Sequence, residues 1–104
     1  MKVLWTQFAL KEVRKISNYI GRKFGQKAKQ DFLQEVQHID NLLSQMPNMG
    51  KVEPLLADLS ITYRSIVLAR LDKIVYYIEN NEIIISDFWD MRRNPKTLAN
   101  RLLE

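Results

Sequence analysis

Residues 73–89 read KIVYYIENNEIIISDFW, two β-rich runs broken by Asn80-Asn81. Isoleucine, valine, tyrosine and tryptophan dominate both runs, as in strands. Asparagine tolerates the left-handed backbone that a two-residue hairpin turn requires. The stretch therefore predicts a hairpin of strands Lys73–Glu79 and Glu82–Trp89. The unbroken Ile83-Ile84-Ile85 suggests a strand covered on both faces and hence a central one. Upstream, Tyr63–Ala69 has the same character and is joined by a short turn at Arg70-Leu71-Asp72, which completes a three-strand meander.

Moving toward the N-terminus, residues 47–60 hold Pro47, Gly50 and Pro54 with no sustained period, and read as a loop. Before it the period is helical. From Gln26 to Gln45, Ala28, Phe32, Val36, Ile39 and Leu43 mark one stripe, and Met46-Pro47 ends it. Ala9, Val13, Ile16, Ile20 and Phe24 mark another, opened by a Thr6 N-cap and closed by Gly25. The short link at Gly25 makes the two helices an antiparallel hairpin. Residues 2–5 are a short apolar starter strand. Beyond Trp89, Asn94 and Pro95 read as the cap and first residue of a terminal helix with Leu98, Leu102 and Leu103 on one edge. The order β-α-α-β-β-β-α predicts an α+β fold, a helical hairpin packed on an antiparallel sheet. The 104 residues fit one domain spanning 1–104.

Composition narrows the function. Hydrophobic residues make up 46% and charged residues 27%, a globular balance that argues against disorder. With no cysteine, disulfides and thiolate metal sites are excluded. His38, set mid-helix close to the buried stripe, has no partners at metal-ligand spacing and reads as structural. No metal or cofactor is implied. No segment is long enough and apolar enough to span a bilayer, and no signal peptide is visible, so a cytoplasmic location is expected. The net charge is +4. Residues 1–50 hold 8 Lys/Arg against 4 Asp/Glu, and residues 51–104 hold 8 against 8, so the whole excess lies in the first half. Such a bias suits an acidic partner or merely decorates solvated helix faces.

At this length, that element order resembles the RelE/ParE superfamily of toxins from type II toxin–antitoxin systems. The residues carrying the resemblance run through almost the whole chain. They are Trp5-Thr6 with Ala9, Val13, Ile16 and Tyr19-Ile20; Pro47-x-x-Gly50; Tyr63-Arg64-Ser65-Ile66; Lys73 to Ile78; and Ile83 to Phe88, closed by Asp90-Met91-Arg92-Arg93-Asn94-Pro95. The resemblance implies a cognate antitoxin as partner. It also implies one of two actions. RelE-like members cleave mRNA on the ribosome as metal-independent endoribonucleases (mRNA interferases); ParE-like members inhibit DNA gyrase and are not nucleases. The first is the leading expectation, the second its alternative. A nontoxic RNA-binding or interaction module on the same fold is a third.

Cleavage by a 2′-hydroxyl needs a base, cations for the developing charge and an acid for the leaving oxygen. The positions matching RelE-like cations are Arg64, Arg92 and Arg93. Lys51, Arg70, Lys73, Tyr63 and Tyr77 are the candidate RNA contacts. Tyr76 and Tyr77 point to opposite faces of their strand, so one belongs to the core. Trp5 and Trp89 are expected in the core or facing the antitoxin. The chain departs from the nuclease pattern after Pro95, where it has neither the tyrosine nor the histidine that nuclease members often carry.

Overall fold

The computed structural model describes residues 1–68 and 72–90. Strand β1 spans Lys2–Trp5, helix α1 Gln7–Phe24, helix α2 Gln26–Gln45, β2 Lys51–Val52, a 3-10 turn Pro54–Leu56, β3 Arg64–Val67, β4 Asp72–Glu79 and β5 Glu82–Asp90. The expected terminal helix from Pro95 lies outside the described residues. The five strands form one sheet in the order β1-β5-β4-β3-β2. The helical hairpin covers one face, so the α+β expectation holds.

Local chemistry accounts for the element ends. The Thr6 side chain accepts from the Ala9 N–H at 3.0 Å and caps α1. Gly25 turns the chain between the helices at φ +96°, where a side chain would be strained. Asn80 and Asn81 both have positive φ, 51° and 62°, as a tight hairpin of this hand demands. Ile83 and Ile85 are fully buried in β5, which sits between β1 and β4.

Four expectations need correction. The sheet is mixed, because β1 pairs with β5 in parallel, Lys2 opposite Glu82 and Trp5 opposite Ile85. The helical hairpin carries the chain away from β1 without entering the sheet, which leaves β1 free to flank β5. The loop at 47–60 contains β2, which pairs antiparallel with β3. Phe24 is 60% exposed although it continues the buried stripe. From a start level with Ser86, α1 runs back about 27 Å, whereas β5 offers about 13 Å of strand on that side, so the helix outruns its support. His38 is exposed on α2.

The main core lies between the helices and the sheet. Ala9, Val13, Ile20, Phe32, Val36 and Leu43 meet Ile74, Tyr76, Ile83, Ile85 and Phe88. A smaller cluster of Leu56, Tyr63, Val75 and Trp89 lies on the opposite sheet face. Segment 53–59 folds over that face, with Leu59 and Tyr77 packed around it.

Candidate functional site

Register sorts the candidate residues by face. Arg64 stands opposite Tyr76, and Ser65 opposite Val75. Tyr76 belongs to the helix-side core and Val75 to the other cluster. Cross-strand partners share a face and neighbours alternate. Arg64 therefore lies on the helix side. Ser65, Lys73, Tyr77 and Trp89 lie on the opposite side, with Tyr63 packed against them.

On the helix side Tyr76 is a hub. It is fully buried. Its hydroxyl donates to the Pro47 carbonyl at 2.8 Å and accepts from the Gly50 N–H at 3.0 Å. Arg64 Nη1 donates to the Gly50 carbonyl at 2.7 Å. Burial pushes the Tyr76 phenol above its ordinary pKa, and the Gly50 N–H and Arg64 act the other way without cancelling it. The Pro47-x-x-Gly50 turn is thus stitched to the sheet by one tyrosine and one arginine. No side chain fits at Gly50. A Cβ there would stand 2.7 Å from the Tyr76 hydroxyl and 2.9 Å from the Ser65 carbonyl oxygen. We expect Gly50→Ala to cost about 1–3 kcal/mol through overpacking, read as a shift of the urea midpoint. An unshifted midpoint would mean that the turn yields freely.

On the opposite face a buried ion pair takes the place of an open cationic surface. Lys73 is 6% exposed and Glu53 2%. The Lys73 ammonium donates to Glu53 Oε1. Ser65 Oγ donates to the same oxygen at 3.2 Å, and the Leu55 N–H to Oε2 at 3.1 Å. Burial alone would raise the Glu53 carboxyl. The Lys73 ammonium and the two other donors outweigh it and hold the pKa below its ordinary value. Glu53 was not among the sequence candidates. Its one local signal is its place before Pro54, where it caps the 3-10 turn.

Tyr63 is buried and meets Tyr77 edge to face, ring centroids 5.6 Å apart. Burial, then the neighbouring Tyr77, pushes the Tyr63 phenol up. Tyr77 is half-buried and Lys51 is exposed on β2. Arg70, Arg92 and Arg93 lie outside the described residues. The end of β5 can still be placed. Asp90 stands opposite Asp72 and Arg64 opposite Tyr76, four residues or about 13 Å apart along β4. Arg64 and the exit of β5 are thus closer than a meander of equal strands would make them, because β3 is short. Trp89 is fully buried. Among the described residues no three His, Cys, Asp or Glu side chains form a metal-binding group, and no helix is long and apolar enough to cross a membrane.

A third feature is a groove of about 340 Å³ between the helices, lined by Trp5, Leu10, Val13, Leu33, Val36, Gln37 and Asp40. Trp5 is half-buried, and its indole N–H donates to Asp40 Oδ2 at 2.6 Å. The lining is apolar at the sides and acidic at one end.

Residues 3–95 match the family described as the ParE toxin of the type II toxin–antitoxin system parDE. The chain belongs to the ParE toxin family. Such membership implies an antitoxin partner. The fold agrees: a chain from a solved structure described as the chromosomal ParDE TA system from P. aeruginosa superposes with a TM-score of 0.73 at 19% identity, covering 88% of this chain and 97% of that one. No curated protein matches the sequence.

Proposed function

We propose that this ParE-family toxin arrests growth as a binding protein directed at DNA gyrase, rather than as an mRNA nuclease. The observation carrying this reading is that three of the described nuclease candidates, Arg64, Lys73 and Tyr63, are engaged on opposite faces of the sheet. Arg64 is bonded to the Gly50 carbonyl on the helix side. Lys73 is buried against Glu53 and Tyr63 is buried against Tyr77 on the other. A metal-independent nuclease needs base, acid and cations converging on one phosphate. Side chains divided by a sheet do not converge.

The antitoxin fits the apolar groove between α1 and α2. A helix laying an apolar edge there would bury the exposed flanks of Leu10 and Leu33.

Two measurements test the reading together. Purified protein should block supercoiling by DNA gyrase, and mapping of RNA 5′ ends after expression should show no new cleavage. Arg64→Ala and Arg93→Ala separate the alternatives. Nuclease action would lose roughly 10²–10³ in rate with each missing phosphate contact, whereas gyrase inhibition should survive the Arg93 change in any variant that stays folded. Fresh RNA ends without any effect on supercoiling would overturn the proposal.

A further inference from the structure

The tip of the helical hairpin is the most exposed and most cationic part of the described chain. Arg22, Lys23, Phe24, Gly25, Gln26 and Lys27 are consecutively exposed. Arg22, Lys23, Lys27 and Lys29 bring four cations into eight residues, against the single acid Asp31 in the next turn. Asp31 pairs with Lys27 at 3.2 Å. Lys29 Nζ donates to Asn18 Oδ1 at 3.1 Å, which ties α2 back to α1 about two turns from the tip. Lys23 Nζ lies 5.7 Å from the Tyr19 ring centroid and 5.9 Å from that of Phe24. These rings, 42% and 60% exposed, hold the ammonium over their faces. The lysine is partly ordered before any partner arrives, which lowers the entropy lost on binding.

We infer that this tip docks on the phosphate backbone of duplex DNA. The inference rests on the gyrase reading in one respect: an enzyme acting on DNA presents duplex beside the toxin. Charge complementarity argues for a polyanion. The tip is a projecting end without a groove, so an acidic peptide would gain only solvent-exposed ion pairs there, each worth little. A duplex backbone rewards the same cations by releasing condensed counterions, with no groove required. The apolar groove that suits a peptide lies at the Trp5 end of the hairpin, away from the tip, so the two surfaces do not compete.

The test is fluorescence anisotropy of the purified protein with a duplex of about 20 base pairs across a salt series. Three or four phosphate contacts predict an affinity loss of about 40- to 150-fold between ~50 and ~200 mM salt. Replacing Arg22, Lys23 and Lys29 together by alanine should lower the logarithmic salt slope by about 2.7 and leave the urea midpoint near that of the parent. Arg22→Ala alone should lower it by about 0.9. Lys11→Ala, about 16 Å farther up α1, should leave it unchanged. A flat salt response, an unchanged slope in the triple variant, or an equal effect of Lys11→Ala overturns the inference. So does tip-dependent binding that goes instead to an RNA duplex, to phosphatidylserine vesicles or to an acidic peptide. The two proposals fail separately. Supercoiling blocked without tip-dependent DNA binding removes this one alone. Tip-dependent DNA binding with normal supercoiling removes the gyrase reading alone.

Discussion

Phe32→Ala should cost about 3–5 kcal/mol of stability, the range for deleting a buried aromatic ring. Phe32 is 5% exposed in α2. Its ring meets Phe88 of β5 edge to face, centroids 5.7 Å apart and planes 84° apart. The pair bridges the helical layer to a central strand, so truncation removes apolar contact from both layers and leaves a void that close-packed neighbours only partly fill. A domain has about 5–15 kcal/mol in all, so the variant would keep a small margin or unfold. Urea denaturation decides it, and a loss below about 1 kcal/mol would show that the stripe is not buried as described. Phe24→Ala is the internal comparison. It continues the corresponding apolar stripe of α1 but is 60% exposed, and its change should stay within about 0.5 kcal/mol.

That contrast shows what periodicity can and cannot say. It gives the direction in which a side chain leaves its helix. It does not give the point at which the layer beneath comes to an end. Phe32 and Phe24 therefore looked alike in sequence and differ in the fold. The elements themselves were legible because each carries its own local chemistry: the Thr6 cap, the Gly25 turn, the Asn80-Asn81 pair and the isoleucine run. Partnership was less so. Nothing within residues 2–5 tells which strand they join or in which direction, and the parallel pairing with β5 is a property of the crossover. The candidate site suffered most. Arg64 matched a RelE-like cation position, yet its acceptor is the Gly50 carbonyl fourteen residues earlier. Lys73 was a candidate RNA contact, and its partner Glu53 is twenty residues away, delivered by a loop with no period. A charge in a strand announces that a partner exists. Whether that partner is a substrate or the protein's own backbone is a tertiary fact.

Lys73→Met should destabilise the protein by about 3–5 kcal/mol, and the loss should shrink in acid. The methionine keeps much of the aliphatic volume while removing the ammonium. Glu53, 2% exposed, would then be a buried carboxylate whose remaining donors are the Ser65 hydroxyl and the Leu55 N–H. The cost comes mainly from that uncompensated charge, because a buried pair gains little net energy over apolar packing but is expensive to break. A double change, Glu53→Leu with Lys73→Met, should accordingly recover much of the loss, less whatever capping of the 3-10 turn Glu53 supplied. The pH dependence follows from the direction of the Glu53 shift. In the parent its folded pKa lies below the ordinary value, so its contribution is complete above the unfolded pKa and fades as pH falls through the folded one. In Lys73→Met, burial acts without the ammonium and the folded pKa rises instead. Acid then neutralises the stranded carboxylate and favours the variant's folded state. The gap between parent and variant should therefore be widest near pH ~7 and narrower near pH ~4. Urea midpoints at those two values measure it. A gap that does not change with pH would mean that the lost energy is packing rather than charge, and that Glu53 and Lys73 do not hold the 53–59 segment to the sheet as an ion pair.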